Sequence, residues 1–108
     1  MKRGEIYTFV GKGDFSGKPR PGLIVQSDLF NEYHPSVSVC PITSELTGDH
    51  LFRVHINPDP ENGLEAASEI QIDKIQSVRS SRVDRYVGTI AEADLVTVGE
   101  GLRLWLDL

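Results

Sequence analysis

The chain is poor in the residues that most often announce a site. One cysteine, Cys40, stands among 108 residues, which excludes an intrachain disulfide and a cysteine-built zinc site. No apolar run approaches the roughly 18–20 residues that a membrane span needs. The opening Met1-Lys2-Arg3-Gly4-Glu5-Ile6-Tyr7 lacks the apolar stretch of a secretion signal. A cytoplasmic protein with no membrane partner is therefore expected. Cations are in deficit too: the net charge of −5 argues, taken alone, against a polyanionic partner. What is present is enough Leu, Ile, Val and Phe for a packed core, and one domain spanning 1–108 is expected.

The distribution of charge alters that first reading. Residues 1–20 carry Lys2, Arg3, Lys12, Lys18 and Arg20 against Glu5 and Asp14. Residues 74–86 carry Lys74, Arg79, Arg82 and Arg85 against Asp84. Between them, residues 21–73 hold Arg53 as their one Lys or Arg among nine acids. If the fold joins the two basic segments they make a local positive groove; otherwise they are solvated faces.

The pattern predicts strands and one closing helix. Ile6–Val10, Leu23–Val25, Val37–Pro41, Leu51–Ile56, Ile70–Ile72, Ile75–Val78 and Tyr86–Ile90 are β-branched, aromatic or alternating. A Gly- and Pro-rich loop from Gly11 to Pro19 separates the first two. Residues 28–33 suit one or two helical turns, with Ser27 or Asp28 as N-cap. Leu95, Val98, Leu102 and Trp105 share one face of a final helix. Gly99 and Gly101 weaken that helix by about 1 kcal/mol each, so it needs tertiary packing. The class is mainly β: a small, strongly bent barrel capped by a C-terminal α-helix.

Four segments, in order, resemble the MazF/PemK family of toxin endoribonucleases from type II toxin–antitoxin modules. They are Lys2-Arg3-Gly4-Glu5-Ile6-Tyr7, Arg20-Pro21 before Leu23-Ile24-Val25, Pro41-Ile42-Thr43-Ser44, and Ser68–Ile75 followed by Arg82. The resemblance covers nearly the whole chain. It implies a PemK/CcdB-like barrel related to SH3 barrels, working as a homodimer. It implies cleavage of single-stranded RNA without metal or other cofactor, by attack of the ribose 2′-OH on the adjacent phosphate. It also implies a cognate antitoxin that covers the same groove.

That chemistry needs an acceptor for the 2′ proton, a donor for the departing 5′-oxygen and positive charge for the phosphorane. Arg20 offers a planar fork matched to phosphate oxygens, and Pro19 and Pro21 restrict its backbone. Arginine holds its proton so firmly that an electrostatic role suits it better than proton transfer. Thr43 and Ser44 can donate to a phosphate oxygen, or merely cap a turn. Asp73 is a candidate acceptor; some family members place an arginine two residues earlier, where this chain has Gln71. Lys12, Phe15, Lys18, Arg79 and Arg82 are candidate substrate contacts, with Phe15 able to stack on a base. His34, His50 and His55 read as surface residues, and no metal-ligand spacing emerges.

Two alternatives belong to other classes. One is a gyrase-poisoning toxin of the related CcdB fold, which would use Trp105 near the chain end; core packing of Trp105 is the expectation here. The other is a non-enzymatic SH3-like binding module, which a wide separation of Arg20 and Thr43 would favour.

Overall fold

A computed structural model describes residues 1–10 and 18–108. Lys12 and Phe15 lie outside the described residues. Seven strands, β1 (Glu5–Phe9), β2 (Arg20–Ile24), β3 (Ser36–Thr43), β4 (Arg53–Ile56), β5 (Ser68–Gln71), β6 (Gln76–Arg79) and β7 (Val83–Thr89), form one antiparallel sheet. A short helix α1 (Asp28–Asn31) follows β2, and α2 (Glu92–Leu106) closes the chain. The ladder runs β4-β5-β3-β2-β1-β7. It is a barrel-like sheet left open at β4 and β7. The first half of β3 pairs with β6 and its last two residues pair with β5. The strand expected over Ile70–Ile72 ends at Gln71, and a 3₁₀ turn, Ile72–Lys74, follows it.

Strand alternation sorts the side chains onto two faces. Ile6, Leu23 and Cys40 stand opposite one another, as do Ile42, Ile70 and Val54. This face meets Val98 and Leu102 of α2 and forms the main core. Burial pushes the Cys40 thiol up to about 12, so Cys40 is packing material rather than a nucleophile. The weak helix persists because of this contact: Gly101 lies flat against Ile72, where an added Cβ would sit 3.4 Å from Ile72 Cγ1. The opposite face carries a smaller core of Phe9, Ile24, Val37 and Val39.

Trp105 corrects the expectation from periodicity. It does not join the core; it is 49% exposed, with its ring 6.0 Å from that of Phe52. Val98 and Leu102 are the buried residues of the helix, and Trp105 lies one turn beyond them beside Phe52, the residue that precedes β4. Ser27 caps α1 as expected, its hydroxyl accepting from the Leu29 N–H at 3.2 Å.

Among the described residues no helix is long and apolar enough to cross a membrane.

Candidate functional site

The site is built by the register of three neighbouring strands. β2 and β3 pair Gly22 with Pro41 and Leu23 with Cys40. The pairing ends at Gly22 and Pro41, with Arg20 two residues before it on β2 and Thr43 two residues beyond it on β3. Thr43 in turn stands opposite Glu69 of β5, and Glu69 opposite His55 of β4. Directly opposed residues project to the same face, so Thr43 and Glu69 share the face away from α2. Arg20 is exposed, and Thr43 is half-buried. The Thr43 Oγ1 accepts the Glu45 N–H at 3.1 Å. This is the turn-capping bond that threonine commonly makes, and it leaves the hydroxyl proton to donate elsewhere. Ser44 is exposed at the start of the next loop.

Asp73 is neither a strand residue nor an exposed one. It sits in the 3₁₀ turn after β5, half-buried, and Arg53 grips it. The Arg53 Nε donates to Asp73 Oδ1 at 2.8 Å and Nη2 to Oδ2 at 3.4 Å. Arg53 stands directly opposite Gln71. The guanidinium that Asp73 lacks at position 71 therefore arrives from the neighbouring strand. Arg53 also donates from Nη1 to Glu69 Oε1 at 3.4 Å. The hydrogen bond to Asp73 is the chief cause that raises the Arg53 pKa further.

Glu69 is a buried carboxylate, 3% exposed, that holds the loop after Thr43. Its Oε2 accepts the N–H groups of Thr47 and Gly48, each at 2.9 Å, and its Oε1 accepts the Thr47 hydroxyl at 3.0 Å. Burial is the largest influence on its pKa and pushes upward. The bonds from Gly48 and Thr47 and the charge of Arg53 together outweigh it and hold the group below its ordinary range. Arg53 and Glu69 were not foreseen as site residues. A signal existed for Arg53: a lone basic side chain in an acidic segment has abundant partners.

The depressed group has a consequence for acid stability. A carboxyl whose folded pKa is lowered adds stability that is complete above its unfolded pKa and fades as pH falls through the folded value. Asp28 behaves likewise, lowered first by the Arg3 N–H and then by Asn31 and nearby cations. The melting temperature is expected to hold level down to about pH 5 and to drop below it. Glu69→Gln is expected to flatten that drop, which thermal melts in a pH series check.

The basic candidates converge in part. The Val10 N–H bonds the Arg82 carbonyl at 2.9 Å, and Val83 stands opposite Phe9, itself opposite Arg20. Arg82 therefore borders the Arg20 end of the sheet, with exposed Lys18 two residues before Arg20. Arg79 pairs with Ser36 at the other end of β3, roughly 23 Å of extended strand from Thr43. Strand pairing does not bring it to the site. His34, His50 and His55 are exposed, as expected. Among the described residues no cluster of His, Cys, Asp and Glu is arranged to hold a metal ion. Two shallow grooves of about 600 and 730 Å³ lie elsewhere, beside α2 and α1, and share Arg3 and Val25.

The model of the family described as "PemK-like, MazF-like toxin of type II toxin-antitoxin system" matches residues 2–106. The "Probable endoribonuclease MazF" of Mycolicibacterium smegmatis is 41% identical over 108 residues, covering 100% of this chain and 98% of that protein. "Endoribonuclease EndoA" of Bacillus subtilis is 27% identical over 113 residues, covering 100% and 96%. The fold agrees with solved structures. A MazE–MazF crystal structure from Deinococcus radiodurans superposes with a TM-score of 0.83 at 21% identity, covering 100% of this chain and 97% of that one. A mycobacterial "Endoribonuclease in complex with its cognate antitoxin" does so with a TM-score of 0.82 at 20% identity, covering 100% and 96%. A family match over residues 2–106, with a relative 41% identical along the whole chain, makes this chain a member of the PemK-like, MazF-like toxins of type II toxin–antitoxin systems.

Proposed function

We infer that this protein is an endoribonuclease toxin that cleaves single-stranded RNA without a metal ion. The observation that supports the reading is the β2–β3 pairing, which leaves Arg20 and Thr43 at the same end of neighbouring strands, each two residues from the Gly22–Pro41 pair. The endoribonuclease names of its relatives point the same way. The ribose 2′-oxygen bonds to the adjacent phosphorus and gives up its proton to solvent water. The bond to the 5′-oxygen breaks, and that oxygen takes a proton. The products are a 2′,3′-cyclic phosphate and a 5′-OH. The nucleophile lies within the substrate, so no activated water is required. Arg20 offers paired N–H donors to the non-bridging oxygens, which gather charge as phosphorus becomes five-coordinate. Thr43, its oxygen already bonded by Glu45, donates its proton to the same group. Lys18 and Arg82 extend positive charge near Arg20, and exposed Ser44 follows Thr43 as a further candidate contact.

A single-stranded RNA partner, a cognate antitoxin, a homodimeric state and action in the cytoplasm belong to the same reading. The antitoxin complexes among the solved neighbours support the second. A disordered acidic segment suits the antitoxin's role: its carboxylates pair with Lys18, Arg20 and Arg82, and it orders only when bound. Arg20 and Thr43 at the same end of neighbouring strands count against a bare SH3-like module, and the family match counts against a gyrase poison.

The test is incubation of the purified protein with a long unstructured RNA in EDTA, followed by end analysis. Fragments with 5′-OH ends and cyclic phosphates are expected. Cleavage that appears only when a divalent ion is restored would overturn the mechanism.

A further inference from the structure

We propose that Asp73, Arg53 and Glu69 form a buried relay that positions Thr43 and its loop for catalysis, acting without contact to the RNA. The proposal rests on the endoribonuclease reading and deepens it. The relay has a direction. Asp73 in the 3₁₀ turn holds the Arg53 guanidinium at two nitrogens; Arg53 holds Glu69; and Glu69 holds the backbone of Thr47 and Gly48. Glu69 is also the residue directly opposite Thr43 on β5. The loop it grips leaves the sheet at once after Thr43, and its Glu45 N–H bonds the Thr43 hydroxyl. One carboxylate thus fixes the threonine through its strand partner and through the loop that orients its oxygen.

Two features separate this cluster from an ordinary surface network. Glu69 and Arg53 have side chains only 3% and 10% exposed. They are positioning residues, since a substrate on the open face meets Arg20 and Thr43 first. Burying two carboxylates and one guanidinium is also a costly way to gain stability. Charged hydrogen bonds do, however, fix geometry tightly, and a loop with three bonds to one carboxylate has little freedom to drift.

The test uses the full chain and three variants: Glu69→Gln, Arg53→Gln, and the exchange Arg53→Gln with Gln71→Arg. The exchange is possible because positions 53 and 71 face each other across β4 and β5. Each protein is measured for cleavage of a short oligoribonucleotide, for melting temperature, and for hydrogen exchange at the Thr47 and Gly48 amides. Glu69→Gln and Arg53→Gln are expected to lower kcat by about 10–100-fold, with KM changed by less than about threefold. Both should speed exchange at Thr47 and Gly48 and leave the amides of Leu23 and Cys40 protected. The exchange variant should recover most of the lost kcat and restore the loop's protection. Unchanged protection at Thr47 and Gly48, a wild-type kcat in Glu69→Gln, or a kcat loss that merely follows the unfolded fraction would each overturn the relay. Should the wild-type protein cleave no RNA, it is the functional reading that fails. The amide exchange then decides by itself whether the relay holds the loop.

Discussion

Arg20→Ala is expected to lower RNA cleavage by about 10²–10³-fold, the usual cost of losing one preorganised donor to a developing anion. The effect should fall on kcat, because the charge that Arg20 meets grows only as phosphorus gains its fifth oxygen. The residue is exposed at the start of β2, and melting curves of each variant show how much of any loss is structural. Arg20→Lys separates charge from shape. A lysine ammonium restores the positive charge and the phosphate attraction, but it cannot offer two parallel N–H groups to two oxygens. We expect Arg20→Lys to bind RNA nearly as well as the wild type and to cleave it almost as slowly as the alanine variant. Single-turnover cleavage and filter binding on the same RNA resolve the two quantities. A lysine variant with wild-type turnover would reduce the role of Arg20 to simple charge. Thr43→Val, which keeps the shape and removes the hydroxyl, should combine less than additively with Arg20→Ala if both donate to one phosphate.

How much of this was legible in the sequence depends on whether a feature is local. Strands with β-branched alternation, such as Val37–Val39 and Val54–Ile56, follow from period and composition, and so does the Ser27 cap. Arg20 stands out between Pro19 and Pro21, and Thr43 two residues after Pro41, each at a strand end. The pairing of Arg53 with Asp73 is invisible locally. It joins residues of β4 and the turn after β5, and only the register that sets Arg53 opposite Gln71 brings them within 2.8 Å. The same is true of Glu69, which reads as one more acid in an acidic segment. Its burial and its grip on Thr47 and Gly48 are products of the β3–β5 pairing. Trp105 failed in the other direction. Periodicity groups it with Val98 and Leu102, but it cannot report that burial stops at Leu102 and leaves Trp105 half exposed beside Phe52. Charge summed by segment was similarly blunt: Arg79 and Arg82 are near neighbours in sequence, yet Arg79 pairs with Ser36 at the start of β3 while the Arg82 carbonyl accepts the Val10 N–H just after β1.

Gly88→Ala is expected to destabilise the fold by about 3 kcal/mol, near the upper end for overpacking a close contact. A Cβ at this position would lie 2.3 Å from the carbonyl carbon and oxygen of Asn62 and 2.5 Å from the Glu61 oxygen. These are backbone atoms, so no rotamer change relieves the clash. Nor can the loop they belong to retreat easily. The Thr89 N–H bonds the Glu61 carbonyl at 2.8 Å, and the fully buried Asn62 donates to the Asn57 carbonyl at 2.8 Å. The Asn62 Oδ1 accepts from the N–H groups of Asp59 and Leu64. Moving the loop aside strands those buried groups, each worth about 1–3 kcal/mol when left unpaired. For a chain of this size the predicted loss corresponds to a fall in melting temperature of roughly 12–24 °C at fixed protein concentration. Gly48→Ala is the control. Gly48 has φ +76 but open space around its Cβ direction, so it should lose only the cost of a left-handed alanine, about 1 kcal/mol. The contrast separates steric conflict from backbone strain. Equal losses at the two positions would mean that the loop under Gly88 yields, and that the hydrogen bonds of Asn62 do not hold it against β7.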